Sequence, residues 1–433
     1  MITTEIALGV PPAPRTIEET GLSADLILQM VTKTLHFAGE LVGTALADRL
    51  GVPFQVVEPA LELLKRERHC EIVGGAMVGS SSYKYRLTDA GRVRAALFLE
   101  DNHYVGALPV PIDQYQAYMA LLPESGAATR PAVRDAFAHL VLRDRVLDQL
   151  GPAIAAWHSL FVYGPPGNGK TVISQAIRNL LQGDIAIPHA ISVEGHIIRV
   201  YDPVNHESVG AGDTFAPGLE RGEAVDGRWV RCRRPLVTVG GELTLNALEL
   251  GYSPLTGFYN APLQVIANGG VLVIDDFGRQ QTSPRDLLNR WIVPLESRVD
   301  YLTLQTGQKF HIPFKVFAVF ATNLKPGDLV DEAFLRRIQY KVLAESPTVP
   351  EFVQIFENYC RQKDISYESG VAEALASDLR RRGLKLRGCH PRDLIEHAQA
   401  LGRYLDKPAV MTFELLAQAS ESYFVEDRDL ATV

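Results

Sequence analysis

The chain has 433 residues, of which 46% are hydrophobic and 22% charged, and this composition is typical of a globular protein with two or three domains. The net charge of −8 argues against broad, sequence-independent affinity for nucleic acids, although a local basic patch is compatible with it. Cys70, Cys232, Cys360 and Cys389 form no C-x-x-C pair, which predicts reduced thiols and no zinc site. Without a signal-peptide pattern or an apolar run approaching about 18 residues, we expect a cytoplasmic protein with no membrane span.

The first hundred residues combine helical and strand patterns. Apolar periodicity predicts helices over residues 23–37, 40–50 and 54–68, followed by strands over residues 70–73 and 83–87. Thr88 is the predicted cap of one more helix. Three helices followed by a hairpin resemble a winged helix-turn-helix, so we predict such a domain over residues 1–102.

Charge bears on the partner of this winged-helix-like domain. Residues 1–110 contain 10 Lys and Arg against 13 Asp and Glu, a net charge of −3. Its recognition helix carries Glu58 and Glu62, and its basic residues Lys65 and Arg66 lie at the far end. Winged helices that read DNA place donors near the amino terminus of that helix. The charges therefore favour docking to a protein partner, with DNA binding as the alternative.

A Gly-rich octapeptide lies between a strand pattern and a helix pattern. Residues 103–128 contain several Pro and Gly and are predicted to be a linker, and a helical region begins at Thr129. The apolar residues 160–163 predict a buried strand, and helical spacing resumes from Thr171. Between the two stands Gly164-Pro165-Pro166-Gly167-Asn168-Gly169-Lys170-Thr171.

This octapeptide has the features of a phosphate-binding loop (P-loop, or Walker A motif). Free backbone N–H groups and the helix dipole favour an anion at a helix amino terminus. The glycines let the backbone approach the phosphates closely. Lys170 would supply a positive charge to the β- and γ-phosphates, and the hydroxyl of Thr171 would bind Mg²⁺. We therefore predict that the loop binds a nucleoside triphosphate.

A pair of acids follows another buried strand pattern. Residues 271–274 are apolar without interruption, as in the interior of a parallel sheet, and Asp275 and Asp276 come directly after them. Ligands of such sheets lie beyond the carboxyl ends of the strands. We predict that Asp275 holds Mg²⁺, through water, and that Asp276 polarises the attacking water.

Three further motifs follow in order. A buried strand pattern over residues 315–322 ends at Asn323, a helical pattern ends in Arg336 and Arg337, and Arg392 follows Pro391, which suits the first position of a helix. Together with the octapeptide and the acids, these motifs resemble the AAA+ ATPase superfamily over about residues 125–430. The resemblance implies an α/β fold with a parallel sheet and a helical lid.

The resemblance also implies roles for these side chains. Asn323 would be the first sensor, which orients the attacking water. Arg337, or alternatively Arg336, would be the arginine finger that reaches the ATP of a neighbouring subunit. Arg392 would be the second sensor, which reaches the γ-phosphate from the lid. A site shared in this way implies a ring, which we expect to be a homo-hexamer.

The long segment between the loop and the acids, and a hairpin pattern after the acids, indicate which clade of the superfamily the chain resembles. A β-rich insert is predicted at about residues 186–262, and residues 299–312 alternate around a Thr-Gly turn, which predicts a hairpin. Both features resemble those of the clade that contains the MoxR-type ATPases, the magnesium-chelatase motors and the activators of sigma-54 transcription. The predicted domains are thus the winged helix, the linker, an ATPase subdomain over residues 129–345 and a lid over residues 346–433.

We therefore expect a ring-forming ATPase that remodels a protein partner. One alternative is a DNA-anchored motor or transcription regulator that uses the winged helix. Another is a slow nucleotide-dependent switch or scaffold, because the AAA+ family usually has Glu at the position of Asp276. Asp is shorter by one methylene, which places the base farther from the attacking water.

Overall fold

The structure is a computed structural model that describes residues 9–75, 79–123, 128–181, 183–210, 224–329, 335–406 and 410–424. Its α-helices are α1 (Ile17–Thr20), α2 (Ala24–Ala38), α3 (Gly43–Leu50), α4 (Phe54–Arg66), α5 (Asp89–Asp101), α6 (Ile112–Ala120), α7 (Arg130–Ala136), α8 (Asp144–Ala155), α9 (Lys170–Ala176), α10 (Leu263–Ile266), α11 (Pro284–Ser297), α12 (Pro326–Leu329), α13 (Val349–Lys363), α14 (Val371–Arg381), α15 (His390–Tyr404) and α16 (Phe413–Tyr423).

Its strands are β1 (Glu40–Val42), β2 (Cys70–Gly75), β3 (Tyr83–Leu87), β4 (Val110–Pro111), β5 (Leu160–Tyr163), β6 (Asp184–Pro188), β7 (Ala190–Val193), β8 (His196–Arg199), β9 (Trp229–Arg233), β10 (Leu236–Val239), β11 (Gly251–Ser253), β12 (Phe258–Asn260), β13 (Val271–Ile274), β14 (Val299–Thr303), β15 (Lys309–Pro313), β16 (Phe317–Thr322) and β17 (Tyr340–Leu343). One sheet has the order β10-β13-β16-β5-β17, and β5 pairs in parallel with both β16 and β17. The predicted α/β fold class with a parallel sheet is confirmed.

The chain divides into two compact units. The first comprises Met1–Gly126, Leu181–Leu272 and Gln280–Ala318, and the second comprises Ala127–Leu180, Val273–Arg279 and Val319–Val433. The first unit thus groups the amino-terminal residues with the range predicted as an insert. The domains predicted from the sequence are consecutive ranges of the chain, whereas each compact unit combines three separate ranges. The predicted domain boundaries stay predictions.

The amino-terminal part of the first unit follows the predicted order of elements except at β1. Ser23 caps α2 through its side chain, Thr88 caps α5, and Gly51 ends α3 in the left-handed conformation. The predicted helix over residues 40–50 instead begins with β1, which pairs antiparallel with β3 in a sheet of order β1-β3-β2. That the amino-terminal part of the chain is a winged helix stays a prediction.

The range predicted as a linker contains a packed helix. Pro111 precedes α6, and Tyr115 and Tyr118 of that helix are buried in the first unit. The side-chain amide of Asn268 donates a hydrogen bond of 2.9 Å to the Tyr115 hydroxyl. A proline fits directly before a helix as well as in an open loop, which is why composition alone predicted a linker here.

The rest of the first unit is rich in strands. A sheet of order β11-β12-β8-β7-β4 and a ladder of β6 with β9 lie mostly in the range predicted as an insert, but β4 belongs to the range predicted as a linker. The predicted hairpin is confirmed as β14 and β15, which pair antiparallel from Val299 opposite Pro313 to Thr303 opposite Lys309.

The second unit contains the ends of the parallel strands that carry the candidate site. Every residue of β16 is buried, and the rings of Phe161, Phe277 and Phe320 pack with centroids 5.3 to 5.9 Å apart. The four helices α13 to α16 follow and share a separate apolar core, with Phe352, Phe356, Leu375 and Leu394 fully buried. Among the described residues, no helix is long and apolar enough to cross a membrane.

Candidate nucleotide-binding site

The glycines of the loop adopt backbone conformations that other residues rarely occupy. Gly164 has φ 143°, and a Cβ at this position would lie 2.5 Å from the backbone oxygen of Ala344. Gly167 has φ 78°, and its Cβ would lie 2.7 Å from the Sγ of Cys389. The loop backbone therefore approaches both β17 and the start of α15 too closely to tolerate side chains at these two positions.

Lys170 is buried and has a hydrogen-bond partner for each of its three N–H groups. Its Nζ donates to the Gly164 oxygen at 3.1 Å, to the Pro165 oxygen at 3.0 Å and to Asn323 Oδ1 at 2.6 Å. Burial lowers the pKa of Lys170, and Asp276 and Asp275 act in the opposite direction. The ammonium group is thus held against the carbonyl groups of the first two loop residues.

Thr171 and Asp275 meet across the site. Thr171 lies in the first turn of α9, Asp275 follows β13, and the Thr171 hydroxyl donates to Asp275 Oδ2 at 2.6 Å. Hydroxyl and carboxylate oxygens are the ligands that Mg²⁺ prefers, so this pair fits that ion. Within the described residues no cluster of three or more His, Cys, Asp or Glu could hold a metal. A metal at this pair would therefore need further oxygens from phosphate and water.

Asn323 connects the loop lysine to the second acid. While its Oδ1 accepts from Lys170, its Nδ2 donates to Asp276 Oδ1 at 2.8 Å. Asp276 has a left-handed φ of 47°, and its N–H donates to Asp275 Oδ1 at 2.9 Å. The structure thus brings together all five predicted residues at the ends of these strands and at the loop. Their catalytic and metal-binding roles stay predictions.

Asn168 links the loop to two other segments, which the sequence did not indicate. Its Nδ2 donates to Ala344 O and Ser346 Oγ, each at 3.3 Å, and its Oδ1 accepts from Gly388 N at 3.2 Å. Nearby, Cys389 N donates to Gly167 O at 2.8 Å. Asparagine is common in many kinds of turn, so its presence in the loop did not predict these hydrogen bonds. They follow only from the residues that surround Asn168 in the fold.

A pocket borders the loop beside Asn168. Its charged lining residues are Arg143, Glu345 and Glu351. The apolar lining residues are Val141, Leu142, Val146, Ile173, Ala344, Pro347 and Ile355. Arg143 reaches Glu351 with its Nε at 2.6 Å and its Nη2 at 2.9 Å, a bidentate pair that lowers the pKa of Glu351 to about 2. No sequence motif pointed to these residues.

Arg392 and Arg387 differ in their surroundings. Arg392 is exposed and donates from Nε to Asp393 Oδ1 at 2.9 Å, and Tyr423 donates to the other oxygen of Asp393 at 2.9 Å. The helix begins at His390, so Pro391 stands at its second position and not its first. Arg387 lies beside the loop, because its Cδ would be 3.4 Å from a Cβ on Gly167.

The two candidates for the arginine finger lie just before β17. Arg336 is exposed and Arg337 is partly buried. The predicted helix leading to them lies largely outside the described residues, which resume at residue 335. The choice between Arg337 and Arg336 therefore stays a prediction.

One family model matches part of the chain. A family described as a domain of unknown function (DUF8689) matches residues 348–422, the helices that follow β17. No curated protein matches the chain.

Two solved structures are among those to which the chain is similar. RuvB, the Holliday junction branch migration motor of Thermotoga maritima, has 17% identity and a TM-score of 0.39, with 71% of this chain and 74% of that chain covered. NtrX from Brucella abortus in complex with ADP has 15% identity and a TM-score of 0.40, with 70% of this chain and 61% of that chain covered. At such low identity and TM-score, neither structure identifies the family of this chain.

Proposed function

We propose that this chain binds ATP with Mg²⁺ and hydrolyses it, as an ATPase of the AAA+ type. The observation that carries the proposal is the arrangement of Asn323, whose amide group bonds both Lys170 and Asp276, next to the contact of Thr171 with Asp275. A basic group, two acids and a hydroxyl thus converge on one side of a glycine-rich loop. Triphosphate hydrolysis uses this combination of groups.

The loop would bind the phosphates mainly through its backbone. Its N–H groups and the amino terminus of α9 attract an anion, and Gly164 and Gly167 allow it to approach. Lys170 would exchange one of its present partners for a phosphate oxygen. Mg²⁺, held with Thr171 and Asp275, would neutralise charge on the β- and γ-phosphates. The pocket beside Asn168 has the mixed apolar and polar lining that a nucleoside needs.

Asp276 and Asn323 would handle the attacking water. Asp276 would accept its proton, and Asn323, which already bonds Asp276, would orient it. The short Asp side chain supports slow turnover, which keeps the alternative of a nucleotide-dependent switch or scaffold.

Arg337, or alternatively Arg336, would complete the site of a neighbouring subunit, and the protein would act as a homo-hexameric ring. Arg392 would sense the γ-phosphate from the helices that form the lid. Because Arg387 lies against the loop, it is a second candidate for this role.

The surface charges of the winged-helix-like domain support a protein client over DNA. Lys84 pairs with Glu40, and Arg86 pairs with Glu40 and Glu71 across the strands. On the recognition helix, Lys65 pairs with Glu62. Intramolecular pairing leaves these cations less available to phosphates, and DNA affinity depends on such contacts. A DNA-anchored motor or regulator is the alternative.

A direct test measures nucleotide binding and phosphate release by the purified chain. Binding of a fluorescent ATP analogue and Mg²⁺-dependent release of phosphate that is lost in EDTA would support the proposal. Replacement of Asp276 by Asn should retain binding and lower phosphate release by at least about tenfold. Wild-type protein that fails to bind ATP at millimolar concentration would refute the proposal. Binding without detectable hydrolysis would favour the switch.

A further inference from the structure

A short connector leads from the parallel sheet into the lid. It consists of Ala344, Glu345, Ser346, Pro347 and Thr348, between β17 and α13. The strand β17 is the last of the sheet, and the described chain beyond it is helical apart from short loops and an isolated bridge. The connector is therefore the covalent path by which the lid is attached to the sheet.

Arg143 holds the connector and the first turn of the lid at the same time. Besides its bidentate pair with Glu351, its Nη2 donates to the backbone oxygen of Ser346 at 3.2 Å, and its Nη1 contacts Glu345. Glu351 also accepts from the N–H of Thr348 at 2.7 Å, as part of a capping box that begins α13. One guanidinium thus fixes both the exit from the sheet and the entry into the lid.

The phosphate-binding loop reaches the same connector from the other side. Asn168 donates to Ser346 Oγ and to Ala344 O, and it accepts from Gly388, which precedes α15. Ser346 is therefore shared, since its hydroxyl bonds the loop and its carbonyl bonds Arg143. A displacement of the loop backbone would be transmitted to the connector and to the start of α15 through these hydrogen bonds.

We propose that Arg143 and Ser346 are positioning residues that couple the phosphate-binding loop to the lid, so that nucleotide on the loop fixes the lid over its pocket. This inference rests on the proposed function. Bound nucleotide fixes the loop backbone. The hydrogen bond from Asn168 then fixes Ser346, and Arg143, which bonds both Ser346 and Glu351, fixes the start of α13. The nucleotide can shift the lid only as far as it binds the two lid positions with different affinity.

Matched variants separate this coupling from general stability. Ser346→Ala removes the hydroxyl that Asn168 bonds, and Ser346→Thr keeps a hydroxyl. Arg143→Gln removes the bidentate pair. Arg130→Gln is the control for it, because Arg130 makes a similar bidentate pair with Asp148, with two distances of 2.8 Å, away from the connector.

The experiment follows hydrogen exchange of α13 in the full-length chain with and without ADP and Mg²⁺, together with the dissociation constant of ADP. In wild type we expect ADP to slow exchange in α13. Arg143→Gln and Ser346→Ala should reduce this slowing by at least about threefold, and Arg143→Gln should weaken ADP binding roughly threefold to tenfold. Ser346→Thr and Arg130→Gln should behave as wild type. The double variant Arg143→Gln/Glu351→Gln should be no weaker than Arg143→Gln alone.

The outcomes distinguish this inference from the proposed function. If wild type binds ADP and all variants keep its ADP-dependent slowing, the coupling is wrong and the nucleotide site stands. Equal loss in Arg130→Gln would also overturn the coupling, because the effect would then reflect stability. Failure of wild type to bind ADP or ATP would overturn both.

Discussion

At the scale of single residues, the site depends on how Lys170 and Asn323 are held. Lys170 is buried, and its three N–H groups are satisfied by two loop carbonyls and the amide oxygen of Asn323. A buried ammonium group remains charged only when acceptors and nearby acids compensate for the loss of water. The loop therefore holds a positive charge in a fixed position.

The first prediction follows from this geometry. Replacing Lys170 with Ala should abolish nucleotide binding, because the loop loses its only lysine and the Oδ1 of Asn323 loses its donor. Titration with a fluorescent ATP analogue measures the effect, and we expect a loss of at least about a hundredfold in affinity. Lys363→Ala, at the exposed end of α13, is the matched control. Undiminished binding by Lys170→Ala would contradict the role of the loop.

The second prediction concerns the length of the second acid. Asp276→Glu adds one methylene and brings the carboxylate closer to the water that it would polarise. We expect the turnover number to rise by about threefold or more while the affinity for ATP stays near the wild-type value. A colorimetric assay of phosphate release at saturating ATP measures this. A turnover number that falls with Asp276→Glu would show that the side chain acts in another way.

At the scale of elements, the start of α15 joins the loop to the apolar core of α13 to α16. His390 is 3% exposed, lies edge-on to the rings of Tyr423 and Phe424, and has no hydrogen-bond partner at its buried Nδ1. Burial, assisted by the charge of Arg387, lowers the pKa of His390 to about 4. This imidazole is therefore neutral in the folded protein at neutral pH.

The third prediction is a pH dependence of stability. The unfolded chain takes up a proton on His390 near pH 6.5, but the folded chain resists doing so until about pH 4. Stability should therefore decrease as the pH falls from 6.5 to 4, by an amount on the order of 1–3 kcal/mol from this group. Thermal unfolding at several pH values should show a smaller acid-induced decrease for His390→Phe. An identical pH profile for the two proteins would refute this assignment.

At the scale of the whole molecule, a buried ion pair ties distant segments of the first compact unit together. In the first unit, Arg228 and Asp226 form a buried ion pair, with both side chains 2% exposed. Arg228 also donates to Thr20 O at 2.9 Å and to Gln114 Oε1 at 3.1 Å. Removing one partner of such a pair leaves an uncompensated buried charge, which is strongly unfavourable. The amino-terminal residues and the strand-rich segment around Arg228 should therefore move together.

The fourth prediction concerns assembly. If Arg337 acts on the ATP of a neighbouring subunit, Arg337→Ala should keep analogue binding but lose the turnover that rises with protein concentration. We expect a loss of about a hundredfold or more, as for other arginine fingers. Phosphate release across a range of protein concentrations, with sedimentation to follow assembly, measures this effect. Arg336→Ala is the matched control, and a reversed result would assign the finger to Arg336.

The sequence by itself determined the strands and the ends that carry the site. The runs at β5, β13 and β16 are apolar and polar residues follow directly, because buried strands exclude charge and their ends meet the ligand edge of a parallel sheet. Glycines with positive φ in the loop were also implied by the octapeptide. Local pattern therefore predicted the α/β class and the grouping of Lys170 with the acids.

Only the tertiary structure decided which distant segments meet around that loop. The contacts of Asn168 with Ser346 and Gly388 join residues 178 and 220 positions apart in sequence. The pair of Arg143 with Glu351 spans 208 positions. No local periodicity or propensity encodes such pairs, since they arise when helices and strands pack. For the same reason the proline-flanked helix α6 was predicted as a linker, although packing buries its tyrosines.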